Sequence, residues 1–358
     1  MGFKKGHGDS NRLRLSAEEI ELITAFRDRG HLPELFEQCK AAGIELKDVK
    51  HYWHKSEKFS IFAKNEGLTL EDTFAPILEE LQSYSPKFER IERSIIADPH
   101  CLIIDPSDVH VGKYAAASET GQHYDIEKAV DQVDQGIDGI LSKAFGFNID
   151  KVIFVIGNDC LHIDTPRRTT TSGTPQDTSG MWHEAFIAAK EMYVRAIERI
   201  LPYSDVEIIF NPSNHDYMSG FMLAQTIEAY YRWSENVTFD VSIAHRKYTK
   251  YGNNMIATSH GDGAKLEQTP ILMATENPQM WNDCHYRYIY LHHIHHKQTH
   301  KFMSGKDFIG VTAEYLRTPS PSDGWHDRNG YVGAKKAIEG FIHSFNDGQV
   351  ARLTHNVI

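Results

Sequence analysis

Long apolar runs are missing from this 358-residue chain. None approaches the ~20 residues that span a bilayer, so no transmembrane helix is expected. Met1 to Ser10 carries lysines but no apolar stretch, so no secretory signal is expected either. Cysteine is scarce: Cys39, Cys101, Cys160 and Cys284 are scattered, with neither disulfide-framework nor metal-binding spacing. A reducing, cytoplasmic setting is therefore expected, in which the sequon Asn236-Val237-Thr238 has no meaning. Internal repeats and low-complexity tracts are also absent. So is a positive balance of charge, with 38 Lys+Arg against 49 Asp+Glu, a net of -11. Proteins that grip long stretches of phosphate backbone are usually basic. The acidity weighs against a long-DNA binder while leaving short or single-stranded substrates open. What remains is ordinary for a globular protein, 41% hydrophobic and 24% charged.

The chain divides in pattern near residue 95, giving an N-terminal module with its connector (1–94) and a larger domain (95–358). Ser16-Ala17-Glu18-Glu19 has the form of a capping box, and Ile20, Ile23 and Phe26 follow at helical spacing. A second helix is expected from Leu32 to Ala42, ending at Gly43. A third is expected near Leu46, carrying Val49, Tyr52 and Trp53, with residues 67–94 as a helical connector. This reads as a small all-α module. Its simplest role is a packing appendage. The alternative is a surface for nucleic acid, a partner or a homodimer contact. That surface would use Lys47, Lys50, Lys55 and Lys58 beside Tyr52, Trp53 and His54. Residues 1–58 hold 11 Lys+Arg and 10 Asp+Glu, so the remainder carries -11 - 1 = -12.

From residue 98 strands and helices alternate, as α/β layers require. Ile126, Ala129, Val130, Val133, Ile137, Ile140 and Leu141 mark an amphipathic helix. Met181 to Leu201 and Phe221 to Trp233 mark two more. After residue 300 short strands and turns take over, and Asn346-Asp347-Gly348 signals a hairpin.

Five short pieces then stand out: Asp108-Val109-His110, Asp159, Asn214-His215-Asp216, His260 and His293-Ile294-His295. Each follows a run that reads as a buried strand: Leu102 to Ile104, Lys151 to Ile156, Val206 to Phe210, Met255 to Thr258 and Tyr286 to Leu291. Carboxylate, imidazole and amide groups on loops at strand ends are how an α/β sheet gathers a metal site from distant sequence. A lone His260 would more often be structural, and it gains meaning from the ordered set. His293 and His295 share one face of an extended segment, while His292 and His296 point the other way, behind the ligands or at the surface. Asp105, three residues before Asp108, is expected outside the ligand set.

The order and spacing of these blocks over residues 98 to 300 resemble the calcineurin-like metallophosphoesterase superfamily, nearest to its repair-exonuclease branch. That pattern runs D-x-H, G-D, G-N-H-D/E, a lone H, and G-H-x-H. The chain departs from it at Ser213 and His292, where glycine is usual, and at Asn158, one residue more than G-D. The resemblance implies a four-layer β-sandwich flanked by helices, holding two divalent ions, with manganese foremost and iron, zinc or cobalt as alternatives. It implies Asp159 as the bridge between them, with Asp108, His110 and His295 on one ion and Asn214, His260 and His293 on the other. His215 is implied as general acid, with Asp216 holding its ring, and His162 as a second imidazole facing the substrate. Two ions roughly 3.5–4 Å apart can activate water and neutralise a phosphoryl transition state.

Arg167 and Arg168 lead into a hydroxyl-rich loop, residues 169–180, beside the bridging aspartate. With Thr174 they are candidates for binding substrate oxygens. Residues 320–327, with Trp325 and His326, could roof the pocket. The functional expectation is a two-metal phosphodiester hydrolase, foremost a DNA or RNA nuclease of exonuclease type. The alternatives are a phosphatase or phosphodiesterase of nucleotides or other small phosphoesters, and a non-catalytic interaction protein on the same fold. The expected partners are a nucleic acid or nucleotide substrate and no membrane.

Overall fold

The computed structural model describes residues 40–43, 51–55, 60–64, 86–293, 305–330 and 333–357. Its strands in chain order are β1 (His51–Lys55), β2 (Ser60–Lys64), β3 (His100–Asp105), β4 (Ile149–Gly157), β5 (Asp205–Asn211), β6 (Val237–Asp240) and β7 (Lys247–Tyr251). They continue with β8 (Asn254–Ser259), β9 (Tyr286–Leu291), β10 (Gly305–Phe308), β11 (Val311–Tyr315), β12 (Ala337–Ser344) and β13 (Gly348–Asn356). The helices are α1 (Ala117–Thr120), α2 (Ile126–Lys143), α3 (Trp182–Ile200), α4 (Tyr217–Tyr231), α5 (Thr269–Glu276), α6 (Pro278–Asp283) and α7 (Gly324–Arg328).

The chain forms two compact units, Met1–Ser85 and Pro86–Ile358. In the first, residues 40–42 are helical and Gly43 turns with φ 66°. The helix expected to carry Tyr52 and Trp53 is instead β1, paired antiparallel with β2. The all-α expectation for this region is corrected accordingly. Aromatic and β-branched residues suit a pleated surface better than a helix, and His51-Tyr52-Trp53 faces Phe62-Ala63-Lys64 across that ladder. The capping-box helix, Lys47, Lys50 and Lys58 lie outside the described residues. Residues 86–94 are not helical and belong to the second unit. There Arg90 Nη1 donates to Glu235 Oε2 at 2.9 Å and Ile91 N to Asn236 Oδ1 at 2.8 Å.

The second unit is a mixed α/β fold with two sheets flanked by helices. One sheet has six strands in the order β13-β12-β3-β4-β5-β6, the other five in the order β10-β11-β9-β8-β7. β3, β4, β5 and β6 run parallel, as do β8, β9 and β11. Alternate residues of each strand then serve two faces. Leu102, Ile104, Val152 and Phe154 pack against α2, α3 and α4, through Ile137, Ile140, Met192, Ile197 and Leu223 among others. Their neighbours Cys101, Ile103, Ile153 and Val155 meet Ile256 and Tyr290 of the second sheet. The outer face of that second sheet, with Met255, Ala257, Ile289 and Leu291, packs on Met273 of α5 and Met280 and Trp281 of α6. Four layers result. A fully buried aliphatic side chain is worth ~1.5–3 kcal/mol and an exposed ion pair ~0–1, so apolar burial holds the layers together. Asn346 and Asp347 turn β12 into β13, with Gly348 at φ 74°.

Candidate metal centre

The chain leaves β3, β4, β5, β8 and β9 at one end of the paired sheets, the carboxyl end, where open α/β sheets bind ligands. Asp108, His110, Asp159, Asn214, His260 and His293 all sit on those exits. The backbone there is unusual. Among the described residues seven non-glycines have positive φ, and five of them are here: Asp108 (51°), His110 (52°), Asn158 (51°), Asp159 (59°) and His293 (70°). Left-handed conformations of this kind cost free energy and persist where the surroundings enforce them, often at functional sites.

The enforcement is visible bond by bond. Gly157, at φ 86°, lets β4 approach β5 so closely that a Cβ would lie 2.3 Å from Asn211 O. Asn158 N then donates to that same oxygen at 3.0 Å, and Asn158 O accepts from Asp108 N at 2.7 Å. His110 N donates to Asp159 O at 2.9 Å and Val111 N to Cys160 O at 2.7 Å. Thr318 Oγ1 donates to Asp108 O at 2.7 Å. The two aspartate loops are thereby locked in parallel.

The side chains converge. Asp159, His260 and His293 offer ligand atoms within 4.8 Å of one another, as do Asp108, His110 and Asp159. Asp159 belongs to both groups. Its Oδ1 accepts from His215 N at 2.9 Å, while Oδ2 lies 3.2 Å from His260 Nε2 without hydrogen-bonding geometry and has no donor. His260 Nε2 also lies 3.0 Å from Asn214 Oδ1. A third group, His110, His162 and His215, meets the same distance criterion. His162 Nδ1 is 3.4 Å from His110 Nδ1, and its ring stacks on His215 at 5.4 Å.

Electrostatics follow from burial and crowding. Burial works to raise the Asp159 carboxyl, but the His260 imidazole outweighs it and holds the group well below the usual carboxylate range. Burial lowers His260, yet Asp159 and then Asp108 push it up to about 9. Burial raises Asp108. His162 is driven well down by burial, then by His215 and Lys113. Burial, then the Asp159 charge, push Asp216 up to about 7. Two carboxylates buried side by side need positive charge, and in the protein alone His260 provides it.

No family model matches the sequence, and no curated protein matches it. Among solved structures the chain is similar to a double mutant of Vps29 from Entamoeba histolytica, at 14% identity, a TM-score of 0.28, and coverage of 72% of this chain and 99% of that one. A TM-score so low leaves the reading of the site to its own geometry.

The donor set fits divalent ions. It mixes carboxylate oxygen and imidazole nitrogen, and an amide oxygen stands beside it, a chemistry that suits manganese, iron, zinc or cobalt. Buried Asp159 Oδ2 and His260 Nδ1 have no hydrogen-bond partner. His295, His296 and His300 lie outside the described residues.

Several contacts around these residues escaped the sequence reading. Asp216 does not hold the ring of His215, which corrects that expectation. Its carboxylate accepts from Leu161 N at 2.8 Å and from Ser213 Oγ at 2.5 Å, while His215 Nδ1 lies 2.9 Å from His162 O. Asp216 is the residue before α4, and that turn carries its side chain toward the β4 loop. Ser213, where glycine was the usual residue, relays Asp216 to the Asp159 loop by accepting from Asp159 N at 2.7 Å. His292 is buried, with Nε2 3.1 Å from Asp105 Oδ2, and Asn158 Nδ2 donates to Asp105 Oδ1 at 3.4 Å. Asp105 thus stands behind the ligands.

The hydroxyl-rich loop is built on itself. Thr170 N donates to Thr174 O at 2.9 Å, closing a turn, and Thr171 N reaches Asn214 O at 3.3 Å. Asp164 caps α4 from a distance, accepting from Ser219 N at 2.7 Å, Met218 N at 3.1 Å and Thr171 Oγ1 at 2.9 Å. Arg167 and Arg168 are exposed, and Arg168 Nη2 lies 4.0 Å from Met181 Sδ. Among the described residues, no hydrogen bond joins the side chains of Arg167, Arg168 or Thr174 to the converging ligand groups.

Proposed function

We propose that this protein is a metal-dependent phosphoester hydrolase with a two-ion centre. The observation that carries the reading is Asp159, a buried carboxylate common to two ligand groups, with one oxygen lacking any hydrogen-bond donor. Asp108 and His110 would hold one ion, and Asn214, His260 and His293 the other. His295 joins the first by its place in the motif. Bound ions would supply Lewis acidity and neutralise charge gathering on the phosphoryl group.

The chain's own residues set up the rest. Asp159 Oδ1 is pinned by His215 N–H, and its other oxygen, which has no hydrogen-bond partner, would be available to an ion. His215 Nδ1 faces a carbonyl that can only accept, so Nδ1 carries hydrogen and Nε2 is the nitrogen left to meet the leaving-group oxygen. That is the arrangement a general acid requires, and it needs no carboxylate partner. His162, held neutral by burial, lies alongside as a hydrogen-bonding group for substrate oxygens.

Within this reading we assign a phosphodiester substrate, foremost the nucleic acid of an exonuclease-type nuclease, because Asp159-Cys160-Leu161-His162 resembles the exonuclease form of the second block. A small phosphoester or nucleotide is the second reading, favoured by the net charge of -11. The test is metal analysis with a substrate panel of single-stranded DNA, duplex DNA, RNA, a cyclic nucleotide and a chromogenic diester, supplied with Mn²⁺. The wild-type chain is expected to turn over at least one member and to be silenced by chelation. Asp159→Asn is expected to lose both activity and metal. Full metal content with normal turnover in that variant would overturn the bridge.

A further inference from the structure

Residues 318–323 and the residue that precedes β12 adjoin the Asp108 loop, and we call this stretch its wall. Thr318 Oγ1 is bonded to Asp108 O, and Ala337 N donates to Thr318 O at 3.2 Å. Lys336, one residue earlier, is therefore rooted two hydrogen bonds from the first aspartate loop.

Lys113 ties that wall down. It is 2% exposed, and its Nζ lies 3.3 Å from Ser320 Oγ, 2.7 Å from Pro321 O and 3.3 Å from Asp323 Oδ2. An ammonium has three hydrogens, so three acceptors use Lys113 fully. Asp323 is shared further, accepting from His326 N at 3.0 Å and facing His326 Nδ1 at 2.6 Å.

Lys336 is different. It is half-buried and within electrostatic reach of Lys113, Asp108 and Asp323. Among the described residues its ammonium has neither a hydrogen bond nor an ion pair. Burial, then repulsion from Lys113, lower its pKa to about 8. A cation withdrawn from water beside another cation is costly unless an anion comes to it. Asp323 is already engaged by Lys113 and His326, and Asp108 belongs to the metal centre.

We propose that Lys336 binds the phosphate group of the substrate on the Asp108 side of the centre, with Lys113 and Asp323 positioning the wall that presents it. This rests on the hydrolase reading and narrows it to substrates that keep an anionic phosphoryl oxygen, a phosphomonoester or a phosphodiester rather than a neutral ester.

Calorimetry on the full chain with inorganic phosphate as probe, with and without Mn²⁺, tests it directly. Lys336→Ala is expected to weaken phosphate binding roughly tenfold, the scale of one charge-assisted hydrogen bond, and Lys336→Arg to retain most of it. Because Ala removes an unpaired cation, Tm is expected to hold or rise, and in turnover KM is expected to rise more than kcat falls. Unchanged phosphate affinity in Lys336→Ala, a lowered Tm with affinity intact, or no phosphate binding by the wild type in either condition would overturn the assignment. An inactive wild type that still loses phosphate affinity on Lys336→Ala would sink the hydrolase reading and keep this one. An active wild type with the same KM in both would sink this one alone.

Discussion

His215 and His293 stand in neighbouring groups of the candidate centre, and the proposed function gives them different work according to what each touches. His293 shares its ligand group with Asp159 and His260, whereas His215 is oriented by the His162 carbonyl. His293→Ala is therefore expected to lose metal along with activity. His215→Ala is expected to keep metal and lose turnover by roughly 10²–10⁴, the usual worth of general acid catalysis. Metal analysis beside kinetics on both variants checks this, and identical behaviour would dissolve the distinction. A diester with an activated leaving group should partly rescue His215→Ala, since such a group leaves without a proton. At this scale the residue types and their order were readable, because ligand chemistry restricts identity. Orientation was not. Asp216 adjoins His215 in sequence and looked like its partner, but the start of α4 turns it to Leu161 and Ser213. The bond from Ser213 to Asp159, and the pairing of His292 with Asp105, depend on loops brought together from different strands. No local spacing encodes them.

At the scale of elements, the loop exits from β4 and β5 decide whether the candidate ligands can converge. Gly157 and Gly173 have nearly equal φ, 86° and 88°, but different surroundings: an added Cβ meets Asn211 O at 2.3 Å at Gly157 and nothing within 4 Å at Gly173. Gly173→Ala is expected to bear only the conformational cost of a left-handed alanine. Gly157→Ala adds a clash with backbone that cannot rotate aside, for a loss on the order of 1–3 kcal/mol or more, and it displaces Asn158 and Asp159. Denaturant unfolding of both variants, with metal content, is the measurement. Equal losses would mean that the approach of β4 to β5 is not tight. Strand runs such as Leu102 to Ile104 were legible because buried parallel strands read as continuous apolar segments. Helix α2 was legible from its apolar stripe. β1 was not, since its five residues sit in a lysine-rich stretch and owe their form to pairing with β2, which helical spacing cannot anticipate.

Across the whole molecule, the two sheets meet through a polar pocket as well as an apolar one. His343 of β12 is fully buried, with Nε2 2.8 Å from Tyr290 OH and Nδ1 3.4 Å from Asn254 Oδ1, and the Tyr288 ring edge-on at 4.6 Å. Burial pulls its pKa down from 6.5 to about 3. The folded protein thus holds His343 neutral where the unfolded chain would protonate it. Between those two values the unfolded state binds the extra proton, so stability rises with pH. The contribution is complete above 6.5 and is lost progressively as pH falls toward 3, with a slope of up to about 1.4 kcal/mol per pH unit from this one group. His343→Gln keeps a polar partner for Tyr290 but removes the titration. It is expected to cost stability at about pH 7.5 and to close much of the gap to wild type at about pH 5, because only the wild type then bears the penalty. Urea unfolding at the two pH values reads the difference. An equal gap at both would show that His343 takes up its proton without leaving the interface, and that the seam between the sheets admits charge.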